Sequence, residues 1–248
     1  MTHRVIHTLS EPLQKALNAS GIKSLTAVQK SLLPPAFERR DVLAVGPGLQ
    51  GLADAMAVIY SARVSRATGK IVLAILPESS QAEELFQKTS EIVSDCSGMV
   101  LLTPEGDFDE QEKALDQGSR ILVATPKGLY AHLKIGNISL SSTEFLLVNE
   151  LDALISEKIS ALAMNEILRF MPRTRQTVAI AKEMTAVLNK NLSKILKDPV
   201  KVAIVDEASP ARKSSTKRVP PRQPKPEAAR RATQKSRKES SASVGGVA

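Results

Sequence analysis

Apolar residues in this chain gather in seven short continuous runs, at 41–45, 71–76, 99–102, 121–124, 145–148, 177–181 and 200–205. A strand with one solvated face alternates apolar and polar positions. A continuous run instead marks a strand covered on both faces, as in a parallel sheet. Between the runs lie segments with helical spacing. In 10–18, Ser10 stands as an N-cap ahead of Leu13, Ala16 and Leu17 on one face. In 80–93 the face is Ala82, Leu85, Phe86 and Ile92, and 165–170 and 185–196 supply two more helices. Another helical stretch follows a glycine-rich turn at the end of the first run. Strands and helices in this alternation predict a doubly wound α/β domain around a parallel sheet.

Composition refines that picture. The chain is 42% hydrophobic but only 3% aromatic and has no Trp, so its core must be aliphatic. Cys96 is the single cysteine, which excludes a disulfide framework and a cysteine-based metal site and reads as a half-buried thiol in a reducing compartment. No run of about 18 apolar residues is present, and the opening Met1-Thr2-His3-Arg4-Val5 lacks the apolar stretch of a signal peptide. The expectation is a cytoplasmic protein with no membrane partner.

The net charge of +8 is unevenly spread. Residues 208–248 carry 11 Lys and Arg against two Glu, whereas residues 1–207 carry 23 basic and 24 acidic side chains. The basic set is Arg212, Lys213, Lys217, Arg218, Arg222, Lys225, Arg230, Arg231, Lys235, Arg237 and Lys238. Pro210, Pro220, Pro221, Pro224 and Pro226 punctuate it, and large apolar residues are nearly absent. Such a segment buries too little surface to offset its chain entropy. The expected division is a folded domain over 1–207 and a disordered Lys/Arg/Pro/Ser-rich tail over 208–248. Basic residues without interleaved aromatics attract polyanions without reading sequence, although a tail of this kind also serves simply for solubility.

The first apolar run leads into Gly46-Pro47-Gly48-Leu49-Gln50-Gly51-Leu52-Ala53. A glycine turn between strand and helix is where backbone N–H groups and a helix N-terminus cradle phosphates. A phosphate loop ends in Gly-Lys-Ser/Thr; here Leu52 and Ala53 hold the last two places. Upstream, Gly21-Ile22-Lys23-Ser24-Leu25-Thr26-Ala27-Val28-Gln29 resembles the Q motif of DEAD-box RNA helicases, with Thr26 and Gln29 matching and Ile22 and Leu25 replacing an aromatic and a proline. The stacking aromatic further upstream would fall near Val5 or Ile6.

The resemblance continues in order. Asp41-Val42-Leu43-Ala44 matches the lead into the phosphate loop, Pro77-Glu78-Ser79-Ser80 stands where the family has Pro-Thr-Arg-Glu, and Gly106 matches the second of two glycines. Ile121-Leu122-Val123-Ala124-Thr125-Pro126-Lys127-Gly128-Leu129 is similar to a family segment that contacts the RNA backbone. Asn149-Glu150-Leu151-Asp152 takes the place of Asp-Glu-Ala-Asp. Ala181-Lys182-Glu183 takes that of Ser-Ala-Thr, and Asp198-Pro199-Val200 closes the domain.

Seven motifs in order over about residues 5 to 205 imply a single RecA-like, P-loop-type doubly wound domain, the first of the family's two. The second domain, which in the family supplies arginine fingers and half of the cleft, finds no matching segment. The resemblance implies nucleotide-binding remnants at Thr26, Gln29, Gly46, Gly48 and Gly51, and catalytic remnants at Glu150 and Asp152. It implies RNA contacts at Thr125 and Lys127. It also implies loss of the loop lysine, the Mg²⁺ hydroxyl and the metal-associated Asp at Leu52, Ala53 and Asn149, and of the Ser hydroxyl at Ala181. Each such electrostatic group is typically worth about 10²–10³ in rate, non-additively.

The expectation is therefore a non-catalytic protein that binds RNA or ribonucleoprotein and needs no cofactor, with another helicase domain or an assembly protein as a further partner. Two alternatives stay open: an ATP- and Mg²⁺-dependent RNA helicase with atypical motifs or completed in trans, and a protein-binding adaptor. Thr125-Pro126 also reads as a helix N-cap followed by Pro at the first helical position. His3, His7 and His132 have no ligand spacing and read as surface residues, and Met171-Pro172-Arg173-Thr174-Arg175 reads as an ordinary basic loop.

Overall fold

The structure, a computed structural model, describes residues 26–47, 51–67, 69–93 and 95–204. All seven predicted strands form: β1 (Val42–Val45), β2 (Ile71–Ile75), β3 (Met99–Leu102), β4 (Ile121–Ala124), β5 (Thr143–Val148), β6 (Gln176–Ala181) and β7 (Val200–Ala203). They make one sheet in the order β3-β4-β2-β5-β6-β1-β7, with every neighbouring pair parallel. The helices are α1 (Ala27–Phe37), α2 (Leu52–Val64), α3 (Ser79–Ile92), α4 (Phe108–Asp116), α5 (Pro126–Ile135), α6 (Leu151–Ser156), α7 (Lys158–Arg169) and α8 (Ala186–Ile195). The helical segment expected at 10–18, together with His3, His7 and the tail, lies outside the described residues.

Each strand sends alternate side chains to opposite faces, and both faces are apolar. Val42, Ala44, Val72, Ala74, Phe145, Leu147, Val178 and Ile180 join α1, α2 and α3 in one core. Leu43, Leu73, Ile75, Leu146, Val148, Ala179 and Ala181 join α4 to α8 in the other. The central strands β2 and β6 are buried throughout, which explains their continuous apolar runs. The edge strand β7 exposes Lys201, a charge that blunts further pairing. Helix α2 is buried nearly all round, because it lies between α1 and α3 on the sheet. Its fully buried Tyr60 hydroxyl lies 2.7 Å from Leu122 O and 3.1 Å from Val72 O, and donates to strand carbonyls.

Two readings of the sequence are corrected. His132 is not a surface residue but fully buried, stacked on the Phe108 ring with centroids 4.2 Å apart. Asn137 Nδ2 lies 3.3 Å from its Nδ1, and its Nε2 lies 3.0 Å from Gln111 Oε1, while Gln111 Nε2 donates to Thr103 O. That chain of donors requires a neutral ring with Nδ1 accepting; a helix position alone gave no sign of it. The loop 171–175 is also not simply a solvated basic loop. Arg175 is buried and donates to Pro172 O at 2.8 Å and to Ile195 O at 3.2 Å, because the start of β6 is roofed by the end of α8. Cys96 is half-buried, as expected.

Burial holds the His132 pKa below its usual value. A histidine depressed in the folded state lends stability that is complete above its unfolded pKa of about 6.5 and is lost as pH falls through the folded value. Urea midpoints measured between pH 7.5 and pH 5 should therefore fall with pH, and His132→Gln should flatten that slope.

Candidate functional site

In a parallel sheet all loops that follow strands emerge at one edge, and there open α/β domains place their ligands. Here that edge gathers Gly46, Pro77, Thr103, Thr125, Asn149 and Lys182. The remnant glycines are held by packing. A Cβ on Gly46 would lie 2.2 Å from Ile204 O, so the chain passes there only without a side chain. Gly51 caps α2 at φ +87, a conformation suited to glycine, and lies against the Thr26 side chain. Gly48 lies outside the described residues.

Thr26 and Gln29 form a capping box at the start of α1. Gln29 N donates to Thr26 Oγ1 (3.3 Å) and Thr26 N donates to Gln29 Oε1 (3.0 Å). Gln29 is buried, and its Nε2 points to Gly51 O at 3.4 Å. The carboxamide is thus engaged at both ends within the chain and ties α1 to the glycine turn.

Leu52 and Ala53 open α2 and face a hollow of about 180 Å³, together with Met56, Leu85, Gln81, Glu84 and Asn149. Asn149 is buried; its Nδ2 donates to Gln81 Oε1 at 2.9 Å, and its Oδ1 has no partner. Glu150 adopts a left-handed backbone at φ 49. Its carboxylate accepts from Gln81 Nε2 (3.1 Å) and forms an ion pair with Lys182 Nζ at 2.6 Å. The hydrogen bond to Glu150 raises the Lys182 pKa. Asp152 is buried and accepts from the backbone N–H groups of Lys182 (3.1 Å) and Glu183 (3.2 Å), joining the start of α6 to the end of β6. Ala181 contributes only a buried methyl to the second core.

A triphosphate with Mg²⁺ needs an ammonium, a hydroxyl and a free carboxylate. The hollow offers Leu52, Ala53, Met56 and Leu85, the amides of Gln81 and Asn149, and the Glu84 carboxylate 3.8 Å from Lys88; with no ammonium and no hydroxyl among its lining residues, it does not fit the group. Sequence reasoning missed Lys182 and Gln81. Lys182 could have been found as a charged intruder in a segment that otherwise carries small residues.

On the neighbouring loop, Thr125 caps α5 by accepting from Gly128 N (3.3 Å), with Pro126 at the first helical position. Its hydroxyl is buried in that task. A Cβ on Gly128 would lie 2.3 Å from Leu102 O, so the glycine lets α5 lie against β3. Lys127 is exposed beside a groove of about 330 Å³ that also holds Glu78, Glu105 and Glu157. Ser79 donates to Glu105 and lowers its pKa. Backbone N–H groups of Ser160 and Ile159 hold Glu157 down to about 2. Three carboxylates surround the one lysine, and a phosphate chain is repelled by that balance. Thr125 and Lys127 do line the same groove, with Lys127 its one cation among three carboxylates. The tail cations from Arg212 to Lys238 lie outside the described residues.

Residues 26–195 match the DEAD/DEAH box helicase family. The chain is 32% identical over 204 residues to Probable ATP-dependent RNA helicase DDX27 of Mus musculus, covering 79% of this chain and 26% of that protein. It is 29% identical over 197 residues to ATP-dependent rRNA helicase RRP3 of Pyricularia oryzae, covering 78% and 36%. It is likewise 29% identical over 187 residues to ATP-dependent RNA helicase HAS1 of Candida albicans, covering 71% and 32%. The chain belongs to the DEAD/DEAH box helicase family and spans about a quarter to a third of these relatives.

If Asp152 serves to splice α6 to β6, Asp152→Ala should lower the unfolding free energy by about 2 kcal/mol, the scale of hydrogen bonds to a charged acceptor. Asp152→Asn should cost less, and chemical denaturation of both variants checks this.

Proposed function

We propose that this family member is a non-catalytic RNA-binding or ribonucleoprotein-assembly protein that keeps the helicase fold without ATP hydrolysis. The observation that carries the reading is the Glu150 carboxylate, which the family resemblance makes the water-activating group. One of its oxygens accepts from Lys182 and the other from Gln81, so both already have partners within the chain. The neighbouring places for the phosphate lysine and the metal hydroxyl are Leu52 and Ala53. The Lys182 ammonium thus neutralises the carboxylate that the reaction would need as a free base.

RNA as partner is supported by the family and by the names of the relatives, which are RNA and rRNA helicases. The 11 basic residues of 208–248 supply the attraction. The acidic groove beside Lys127 does not favour binding at the family's usual RNA segment.

Calorimetry with ATP and Mg²⁺ on the full chain should show no binding at micromolar concentrations. RNA should bind with log K falling against log salt at a slope of about −4, if roughly five tail cations meet phosphates. Micromolar ATP binding, or RNA-stimulated hydrolysis, overturns the non-catalytic reading. Undiminished RNA affinity after replacing the tail cations with Gln overturns the role of the tail.

A further inference from the structure

The loops that precede strands gather at the sheet edge opposite the degenerate site, and this edge is cationic. Arg39, Arg66 and Lys70 are exposed around a groove of about 300 Å³ floored by Arg63, Phe145 and Gln176, with Glu144 its single carboxylate. A second groove of about 460 Å³ shares Arg175 with the first and adds Arg173, Lys194, Lys197 and Lys201. Its carboxylates are Asp41 and Asp198. Asp41 is already engaged, accepting from Thr177 N at 2.7 Å and Lys197 N at 2.6 Å. Among the described residues none of these cations has an ion-pair partner within 4.0 Å.

The clustering works against the domain's own stability. Burial, and then the charges of Arg39 and Arg66, lower the Arg63 pKa to about 10. Arg63 donates to Ala36 O and to Gln176 and lies over the Phe145 ring, yet its Nε is buried without an acceptor. Arg175 Nε is in the same position. Helix C-termini favour nearby cations, and the ends of α1, α2 and α8 explain some of these residues. Lys70, Arg173 and Lys201 lie on no helix end. Unpaired cations that repel one another are explained by an anion that is shared between them.

We propose that this edge is a second nucleic-acid track, which holds the phosphate backbone of single-stranded RNA across the starts of β2, β5, β6, β1 and β7. Four inter-strand spacings of about 4.8 Å give a length of roughly 19 Å, longer than a single phosphate and enough for a few successive phosphates of one strand. The extended length favours a chain of phosphates over a single one. Arginines suit the task through bidentate contact with phosphate oxygens. The track is independent of the tail and of the acidic groove at the opposite edge. It rests on the proposed function and deepens it by naming where on the folded domain RNA lies.

The test is fluorescence anisotropy of a labelled single-stranded RNA oligonucleotide with the full chain across a salt series. Arg66→Glu/Lys70→Glu and Arg173→Glu/Lys201→Glu alter only exposed side chains, and circular dichroism monitors their folding. Each pair should weaken binding about tenfold and reduce the salt slope by about 1.4, at roughly 0.7 for each phosphate no longer neutralised. If both folded pairs bind RNA like the parent while the tail variant does not, the track is overturned and the proposed function stands. If the parent itself does not bind RNA, both fall. If polyglutamate binds the parent and is lost in these pairs while RNA is unaffected, the edge is a protein-docking surface and the track is again overturned.

Discussion

Parallel pairing is the constraint from which the rest of this domain follows. Parallel strands need long crossovers, and the crossovers cover both faces of the sheet with helices. Every loop after a strand then lies at one edge, and every loop before a strand at the other. The two edges have acquired opposite characters. The edge after the strands holds a hollow lined by Leu52 and Ala53, a paired carboxylate and a groove with three glutamates. The edge before them holds a band of cations with few carboxylates.

At the first edge, the positions that still match the family pattern have work within the fold. Thr26 and Gln29 cap α1, Gly46 and Gly51 allow close passage of the chain, Thr125 caps α5 and Asp152 joins α6 to β6. The positions that depart from it, Leu52, Ala53, Asn149 and Ala181, are places where polar groups would otherwise serve phosphate and metal. Of these, Asn149 and Ala181 are buried, where a methyl is favoured over an unpaired hydroxyl, whereas Leu52 and Ala53 are half-buried at the hollow. Lys182 forms an ion pair with Glu150 at 2.6 Å.

The fold class and all seven strands were legible in the sequence, because strands covered by helices leave short apolar runs, although α2 carries a similar run over 55–60. The helix over 185–196 was legible from its amphipathic spacing, and Thr125 from its N-cap chemistry. Helix α2 gave a weaker signal: buried nearly all round, it has no polar face to set a period. The site was less legible. A residue such as Gln29 or Asp152 keeps its identity whether it meets a ligand or a backbone amide, and only the partner tells the two apart.

By itself, then, the sequence determined the parallel α/β domain, the order of its motifs, the placing of Leu52 and Ala53 at the end of the glycine turn, and the concentration of excess positive charge beyond residue 207. Those are properties of residue type and spacing along the chain. The tertiary structure alone decided that His132 and Arg175 are buried, that Lys182 meets Glu150, that Lys127 faces three carboxylates, and that cations far apart in sequence share one edge. Each of these is a distance across the sheet between residues on different crossovers, and hydrophobic periodicity carries no record of such distances.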